Sequence, residues 1–409
     1  MFSQACRLCG EQLNQPFLDL GVSPLANSYV KSIHHMEYVY PLRVVVCEHC
    51  YLVQTEDYET PDHIFTDYAY FSSFSDSWLE HCERYVGEMT ARFGLTSSHQ
   101  VMEIASNDGY LLQYFAERGI PVMGIEPAAN VAAIAIEKGI PSVVDFFGTR
   151  LAESLSAQGK RADLLLGNNV LAHVPDLNDF VAGMKVALNP KGLITMEFPH
   201  LMQLIEHCQF DTIYHEHFSY LSLTAVRRLF DKHGLTIFDV EELPTHGGSL
   251  RIYASHADDP QYPVSGRVAA LLAQETVYGL TDLATYRNFH RKVFRLKRAL
   301  LQFLLERKSQ GRQIVGYGAP AKGNTLINYC GINHEYLDYT VDRSTYKQGH
   351  YLPGSRIPIY DPEKLKETKP DYLFILPWNI KEEIMEQTAF IREWGGRWLL
   401  AVPELQVVE

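Results

Sequence analysis

The chain has 409 residues, 46% of them apolar and 21% charged, and a formal net charge of −13 at pH 7. A chain of this length is too long for a single hydrophobic core, which predicts two or three domains. The apolar and charged fractions are those of a soluble globular protein. The acidic balance argues against nucleic acid as a partner, because affinity for phosphate backbones depends on clustered Lys and Arg. We find no apolar run long enough to cross a bilayer and no signal peptide in the first residues. We therefore expect no membrane partner and a cytoplasmic protein.

Two Cys-x-x-Cys turns, one at Cys6 and Cys9 and one at Cys47 and Cys50, predict a metal site with four thiolate ligands. Four sulfur ligands leave no coordination position open for a substrate, so the metal would be a structural zinc ion. Paired redox thiols are the alternative. They are disfavoured because a redox motif does not need a second one.

An aromatic stretch rich in hydroxyl groups covers residues 67–78. It has no clean periodicity, so two interpretations stay open. As a connector between domains it would only pack. As a wall of an active site it would offer stacking area and hydroxyl groups, including that of Tyr68.

From about residue 98, predicted strands alternate with predicted helices, which is typical of a parallel sheet with right-handed crossovers. Ligands of such sheets bind at the carboxyl ends of the strands, and the acid that closes the second strand is the usual partner of ribose hydroxyls. The predicted strands cover 100–105, 121–126, 142–145, 162–167 and 192–198. The polar residues at their carboxyl ends are Asn107, Asp108, Glu126, Asn168, Asn169, His173, Glu197 and His200.

The segment Tyr214-His215-Glu216-His217 concentrates acid–base groups within four residues. Imidazole has an unperturbed pKa of about 6.5, which suits proton transfer near neutrality. A helix should follow, capped by Ser222 and ended by Gly234. Two later strands, at 235–240 and 249–254, are joined by the short turn 246–248 and should therefore be antiparallel.

These motifs together resemble the sugar C-methyltransferases, which are class I enzymes that use S-adenosylmethionine and act on 4-keto deoxysugar nucleotides. The resemblance covers essentially the whole chain and rests on the four cysteines and on the segments 107–109, 168–176, 214–218 and 245–251. One departure is Ala105, where class I enzymes often carry glycine.

The resemblance implies an α/β fold with a Rossmann-like, seven-stranded methyltransferase sheet, a small N-terminal zinc-binding domain and a C-terminal Rossmann-like domain. We place the zinc-binding domain at 1–66, the methyltransferase domain at 67–256 and the C-terminal, sugar-nucleotide-binding domain at 257–409.

The resemblance also implies roles for individual residues. His217 would be the base that removes a proton beside the keto group, and Glu216 would orient an imidazole or raise its basicity. Tyr214, Tyr68 and His173 would line the sugar and stabilise the enolate. His215 and His173 also have a structural alternative, and His215 can point away, since neighbours in an extended chain face opposite sides. The cofactor S-adenosylmethionine would contact Asn107, Asp108, Gly109, Glu126, Asn168 and Asn169.

The C-terminal region opens with a long helix at 283–307, whose basic face we interpret as solvated rather than as a phosphate site. A strand then runs into the turn Gly316-x-Gly318-x-x-Ala321, and Asp342 ends the next strand. This pattern is formally a dinucleotide fingerprint, so a nicotinamide-dependent oxidoreductase that acts on a sugar nucleotide is the competing function. Pro320 and Lys322 crowd the turn, however.

The amides of such a turn bind a nucleotide diphosphate equally well. We therefore assign the C-terminal region to the sugar nucleotide, with His200, Lys322, Asn324 and Arg343 as substrate-binding residues. A scaffold protein with an inactive fold is disfavoured, because the cofactor-binding residues and the imidazoles are present. The sequence leaves open which sugar and nucleotide are bound, although we favour dTDP and methylation at C-3 over C-5. The oligomeric state is also open, a monomer included.

Overall fold

The largest sheet of the molecule has seven strands. In this computed structural model the described residues are 5–56, 58, 72–74, 76–259 and 261–409. The strands of this sheet are β4 (Val101–Ile104), β5 (Val122–Ile125), β6 (Ser142–Val143), β7 (Ala162–Asn168), β8 (Leu188–Pro199), β10 (Leu235–Leu243) and β11 (Ser249–His256). Their order is β10-β11-β8-β7-β4-β5-β6. Strands β4 to β8 are parallel, and β11 is antiparallel to both of its neighbours. This is the expected class I methyltransferase topology.

Apolar residues lie on both faces of this sheet, because helices pack on both sides of it. On β7, Leu164 and Leu166 belong to one buried cluster, whereas Leu165 belongs to another. Such two-sided burial is usual in sheets whose strands are linked by helical crossovers. The helices of this region are α1 (Asp76–Phe93), α2 (Leu112–Glu117), α3 (Ala129–Glu137), α4 (Thr149–Ala157), α5 (Leu177–Ala187), α6 (Leu201–Glu206), α7 (Leu223–Lys232) and α8 (Gly266–Tyr278).

A second sheet combines the N-terminal region with a distant strand. Strands β1 (Gln15–Ser23), β2 (Tyr40–Val46) and β3 (Val53–Thr55) form an antiparallel meander. Its last strand pairs with β9 (Ser219–Tyr220), which follows the His-Glu-His segment directly. The N-terminal region is thus joined by backbone hydrogen bonds to the chain that carries the predicted catalytic residues.

The C-terminal sheet is parallel except for its last strand, in the order β14-β13-β12-β15-β16-β17. Its strands are β12 (Ile314–Tyr317), β13 (Thr340–Val341), β14 (Ile359–Tyr360), β15 (Tyr372–Ile375), β16 (Arg397–Leu400) and β17 (Gln406–Val408). The helices are α9 (Leu283–Ser309), α10 (Ala321–Cys330), α11 (Lys364–Thr368) and α12 (Lys381–Gln387). This confirms the predicted Rossmann-like α/β arrangement.

Helix α9 connects the C-terminal region to the N-terminal sheet. The ring of Phe289 on this helix stacks on Phe17 of β1, with ring centroids 4.9 Å apart. Helix α8, by contrast, packs on the methyltransferase region, since Val268 and Leu271 share a buried cluster with residues of β8. The boundaries at 66 and 256 stay a prediction.

Two local predictions are confirmed, the cap of one helix and the position of another. Ser222 caps α7, where its hydroxyl accepts a hydrogen bond from the Ala225 amide at 3.2 Å. The helix predicted at 283–307 extends over Leu283–Ser309. Within the described part of the chain, no helix combines the length and the apolar character needed to span a membrane.

Candidate active site

A cavity of about 420 Å³ opens at the carboxyl ends of β4, β5 and β7. Its walls contain four of the six predicted cofactor-binding residues, together with His173, with Trp78 from the aromatic stretch at 67–78, and with His246, which was not predicted. The four are Asn107, Glu126, Asn168 and Asn169. Asp108 and Gly109 are not among the residues that line the cavity. The Asp108 carboxylate contacts the Lys138 ammonium at 3.4 Å.

The loop after β4 needs unusual backbone angles. Ala105 has φ +57°, Asn107 has φ +49° and Gly109 has φ +76°. Ala105 thus adopts the left-handed conformation that glycine accepts more readily. The Glu126 carboxylate holds the loop, because it accepts hydrogen bonds at 2.9 Å from the amides of Asn107 and Ala128.

The polar atoms of the cavity fit S-adenosylmethionine. Among the described residues, Nδ2 of Asn168 and Oδ1 of Asn169 are buried and have no hydrogen-bond partner. Buried polar atoms without partners are costly and therefore indicate a ligand. Glu126 closes β5, where an acid ordinarily binds ribose hydroxyls, and its carboxylate keeps further acceptor capacity.

His217 lies beside this cavity in a defined tautomer. Its Nδ1 is 2.8 Å from the carbonyl oxygen of Thr212. A carbonyl only accepts, so Nδ1 carries the proton and Nε2 keeps the lone pair of a base. The ring contacts Tyr214 and His173, with centroid separations of 4.1 and 4.6 Å. Burial, followed by the neighbouring His173, lowers the pKa of His217 well below its usual value, so the ring is neutral at pH 7.

The other members of the segment point in different directions. The Glu216 carboxylate accepts a hydrogen bond at 2.6 Å from Asn27 of the N-terminal region, and Nε2 of His215 lies 3.1 Å from the carbonyl of Pro41. His215 therefore points toward the N-terminal sheet. Burial lowers the pKa of His173 to about 4, although its hydrogen bond to the Glu216 backbone opposes this effect. Tyr68 lies outside the described residues.

The N-terminal region supports the backbone of this segment. The Thr55 hydroxyl donates to the His217 carbonyl at 3.1 Å, and the Arg7 guanidinium donates to the Phe218 carbonyl at 3.0 Å. On the opposite side, the Phe218 amide donates to the Ala172 carbonyl at 2.8 Å, beside the cavity. The catalytic segment is thus held between the N-terminal sheet and the cavity.

In the sequence, Arg7 lies between Cys6 and Cys9, two of the four predicted metal ligands. The sulfur atoms of Cys6, Cys9, Cys47 and Cys50 all lie within 4.8 Å of one another. The Cys6 and Cys50 sulfur atoms are 3.4 Å apart, and those of Cys9 and Cys47 are 3.5 Å apart. Four thiolates at such separations fit a tetrahedral zinc ion, which leaves no open position and is therefore structural.

The structure adds His246 to the site, a residue that the sequence alone does not indicate. It lies in the turn between β10 and β11, has φ +54° and lines the cavity. Its Nε2 is 2.6 Å from Nδ2 of Asn169. The segment 245–251 belongs to the motifs that carry the family resemblance, but a histidine in a predicted turn gives no separate signal of a site residue.

A buried network of charged and polar side chains supports the turn that contains His246. The Glu197 carboxylate accepts from the Thr245 hydroxyl at 2.8 Å, from His81 at 3.0 Å and from Arg251 at 3.0 Å. Burial alone would raise the pKa of Glu197, but the hydrogen bond from His81 and the charge of Arg251 lower it to about 2. Glu197 is therefore ionised and fixed in place.

The predicted substrate-binding residues do not lie together. Lys322, at the start of α10, donates to Asn379 at 2.7 Å, and its charge acts on both His217 and His246. Asn324 donates to the Ala26 carbonyl at 2.6 Å, and Arg343 is 58% exposed and pairs with Glu383.

His200 lies elsewhere. It is buried against Glu275 at 2.8 Å and is not among the residues that line the cavity. Of these four residues, Lys322 is the one whose charge contributes to the lowered pKa values of His217 and His246. The roles of all four residues stay predictions.

Comparison with known proteins agrees with this architecture. Three family models match consecutive parts of the chain: "Putative zinc binding domain" over 6–65, "Methyltransferase domain" over 78–240 and "C-methyltransferase C-terminal domain" over 244–403. C-methyltransferase NovU from Streptomyces niveus is 35% identical over 405 residues, which are 98% of this chain and 96% of that one. The chain belongs to the C-methyltransferase family.

The chain is therefore an S-adenosylmethionine-dependent C-methyltransferase with a structural zinc site. A ubiquinone biosynthesis O-methyltransferase from Bartonella tribocorum is 28% identical over 96 residues, which are 23% of this chain and 39% of that one. Among solved structures, the PH0226 protein from Pyrococcus horikoshii has a TM-score of 0.38 at 16% identity, over 49% of this chain and 99% of that one.

Proposed function

We propose that this C-methyltransferase methylates a 4-keto deoxysugar nucleotide, dTDP-linked and at C-3, in deoxysugar biosynthesis. The observation that supports this most directly is the tautomer of His217, with Nδ1 held by the Thr212 carbonyl and Nε2 available as a base beside the cofactor cavity. A sugar carbon becomes nucleophilic only beside a carbonyl group and only after it loses a proton. A fixed neutral imidazole fits that requirement.

When bound, S-adenosylmethionine supplies a methyl group that is already activated on a sulfonium. The protein therefore has to activate the acceptor carbon. Nε2 of His217 would take the proton from the carbon beside the keto group. Tyr214 packs on the His217 ring and would hold it against the sugar. Lys322 would attract the negative charge of the diphosphate, since its positive charge acts on both His217 and His246.

The C-terminal turn does not favour the oxidoreductase alternative. The Ala319 amide already donates to the Asp342 carboxylate at 2.7 Å, which puts a negative charge where a pyrophosphate would bind. A Cβ atom at Gly318 would lie 2.7 Å from the Pro377 ring, so the turn is already filled by protein. The same two contacts disfavour any pyrophosphate on the amides of this turn, that of the sugar nucleotide included. Oxidoreduction is therefore not retained, and the diphosphate of the sugar nucleotide is assigned to the charge of Lys322 instead.

Exchange of substrate hydrogen tests the function and the base together. We expect the wild-type protein to incorporate deuterium from heavy water beside the keto group of a suitable sugar nucleotide, with a non-transferring analogue of S-adenosylmethionine bound. His217→Asn should slow this exchange and methyl transfer by about 10²–10⁴-fold, the usual contribution of a general base. Mass spectrometry of products from a panel of 4-keto deoxysugar nucleotides would identify the substrate and the methylated carbon.

His233→Asn is a matched control, because His233 lies at the far end of α7 and hydrogen-bonds to Asn178. It should leave both rates within about threefold of wild type. Wild-type exchange and turnover in the His217 variant would remove that residue from the base role. Methylation of no keto-sugar nucleotide by the wild-type protein would contradict the proposed substrate class.

A further inference from the structure

His246 has an imidazole that the proposed proton transfer does not involve. It lines the same cavity as Glu126 and Asn168. Its ring centroid lies 5.2 Å from that of Trp78, and its charge state influences the pKa of His217. The residue therefore lines the cofactor cavity and is near enough to His217, to which we assign the base role, to act on its pKa.

The hydrogen bond to Asn169 determines which ring nitrogen of His246 can donate. Nδ2 of Asn169 is an amide donor and lies 2.6 Å from Nε2 of His246. Nε2 therefore accepts, and the ring proton is on Nδ1. Among the described residues, Nδ1 has no hydrogen-bond partner. Burial, together with the charge of Lys322, lowers the pKa of His246 to about 4, so the ring is a neutral donor at pH 7.

Glu197 holds this donor in place from two sides. Its backbone carbonyl accepts from the Asn169 amide at 2.7 Å, and its carboxylate accepts from the Thr245 hydroxyl. Asn169, which contacts His246 in space, and Thr245, which precedes it in the sequence, are thus both anchored to the buried residue Glu197. The anchor supports a left-handed backbone that is uncommon in residues other than glycine, and such strained residues cluster at functional sites.

We propose that His246 is a catalytic residue whose Nδ1–H group donates a hydrogen bond to the enolate oxygen during methyl transfer. The proposal rests on the proposed function. The proton leaves carbon for Nε2 of His217, and the electron pair of that C–H bond moves toward the keto oxygen, where His246 stabilises the charge. A carbon–carbon bond then forms to the methyl group as the sulfonium–methyl bond breaks. The electron pair of the broken bond remains on sulfur, and the carbonyl is restored.

Three substitutions at position 246 distinguish the effect of the N–H donor from the effect of the backbone conformation. Asn and Asp have nearly the same shape and both tolerate a positive φ, but only Asn has an N–H donor. We expect His246→Asn to retain kcat and deuterium exchange within about tenfold of wild type. His246→Asp should lower both by about 10²–10³-fold, the usual effect of losing one oxyanion donor. His246→Gly, which accepts the backbone without strain, should behave like the Asp variant.

Binding and stability measurements distinguish this catalytic role from a structural one. The Kd of S-adenosylhomocysteine and the melting temperature should stay close to wild type in all three variants, so that the effect is on kcat. Wild-type exchange rates in both the Asp and the Gly variants would overturn the proposal, as would equal losses in all three. If the wild-type protein neither exchanges nor methylates any keto-sugar nucleotide, the proposed function fails and this role fails with it.

Discussion

Lys322 belongs to the C-terminal region, and its positive charge lowers the pKa values of His217 and His246. Burial lowers its pKa to about 8, and the nearby Asp211 opposes this shift. The ammonium is therefore charged below about pH 8 and becomes neutral above it. Because kcat/KM reports ionisation in the free enzyme, kcat/KM for the sugar nucleotide should fall as the pH rises through about 8.

Lys322→Arg tests this assignment, since arginine stays charged across the accessible range. The alkaline fall near pH 8 should disappear in the Arg variant, whereas Lys322→Gln should have a lower kcat/KM at every pH. Lys364→Arg, on the distant helix α11, is the control and should retain the wild-type profile. An unchanged alkaline limb in the Lys322→Arg variant would contradict the prediction.

Glu103 is a completely buried carboxyl group on β4, and burial raises its pKa well above the usual value. The folded state therefore holds this proton more tightly than the unfolded state. The resulting stability is fully present below the unfolded-state pKa of about 4.3 and is lost as the pH rises toward the folded-state pKa. Glu103→Gln should remove that loss. It should raise the free energy of unfolding at pH 8, where the wild-type carboxyl group has lost this contribution.

Denaturant unfolding of the two proteins at pH 5 and pH 8 measures this difference. Glu83→Gln makes the same chemical change at an exposed position of α1 and serves as the control. A Glu103→Gln variant that is less stable than wild type at pH 8 would show that the carboxyl group is stabilised in its ionised form.

Among the structural elements, the N-terminal sheet has a role that its zinc site alone does not indicate. It pairs with β9 and contributes Thr55 and Arg7 to the backbone of the catalytic segment. The cofactor cavity, in contrast, is built mainly from the strand ends of the seven-stranded sheet. Methyl transfer should therefore depend on zinc much more than cofactor binding does.

Removal of zinc with a chelator tests this division. We expect methyl transfer to fall by more than tenfold, while the Kd for S-adenosylhomocysteine changes by less than about threefold. Hydrogen exchange of the amides at 212–220 should increase at the same time, because their supporting sheet is loosened. Metal analysis would confirm the loss of zinc, and readdition of zinc should restore activity. Full activity without zinc would contradict the supporting role.

The sequence predicts helices and strands well where they depend on the periodicity and capping of neighbouring residues. The alternation from β4 to β8 and the Ser222 cap needed only neighbouring residues. The pairing of β3 with β9 could not be predicted, because Ser219–Tyr220 is too short to have a strand pattern and its partner is remote in sequence. The left-handed His246 was equally hidden, since local preferences favour glycine there and only the contacts with Asn169 and Glu197 explain it.

At the scale of the whole molecule, the site is built from all three regions of the chain. The central region supplies the cavity, the N-terminal region supports His217, and the C-terminal region contributes Lys322. Trp378 of the C-terminal region also packs against Gly247 in the turn that carries His246, where a Cβ atom would lie 2.5 Å from its ring. The resemblance predicted these three regions, but it did not predict which residues meet. His200, for example, pairs with Glu275 far along the chain.

The pairing of β3 with β9 has a consequence for biosynthesis on the ribosome. Val53 emerges long before its partner Tyr220, and at about 5–20 residues per second the delay is about 10–30 s. During that interval β3 presents an unpaired strand edge, which can pair with another nascent chain. The same ladder that supports catalysis in the finished enzyme thus makes the growing chain most vulnerable to aggregation before residue 220 has been made.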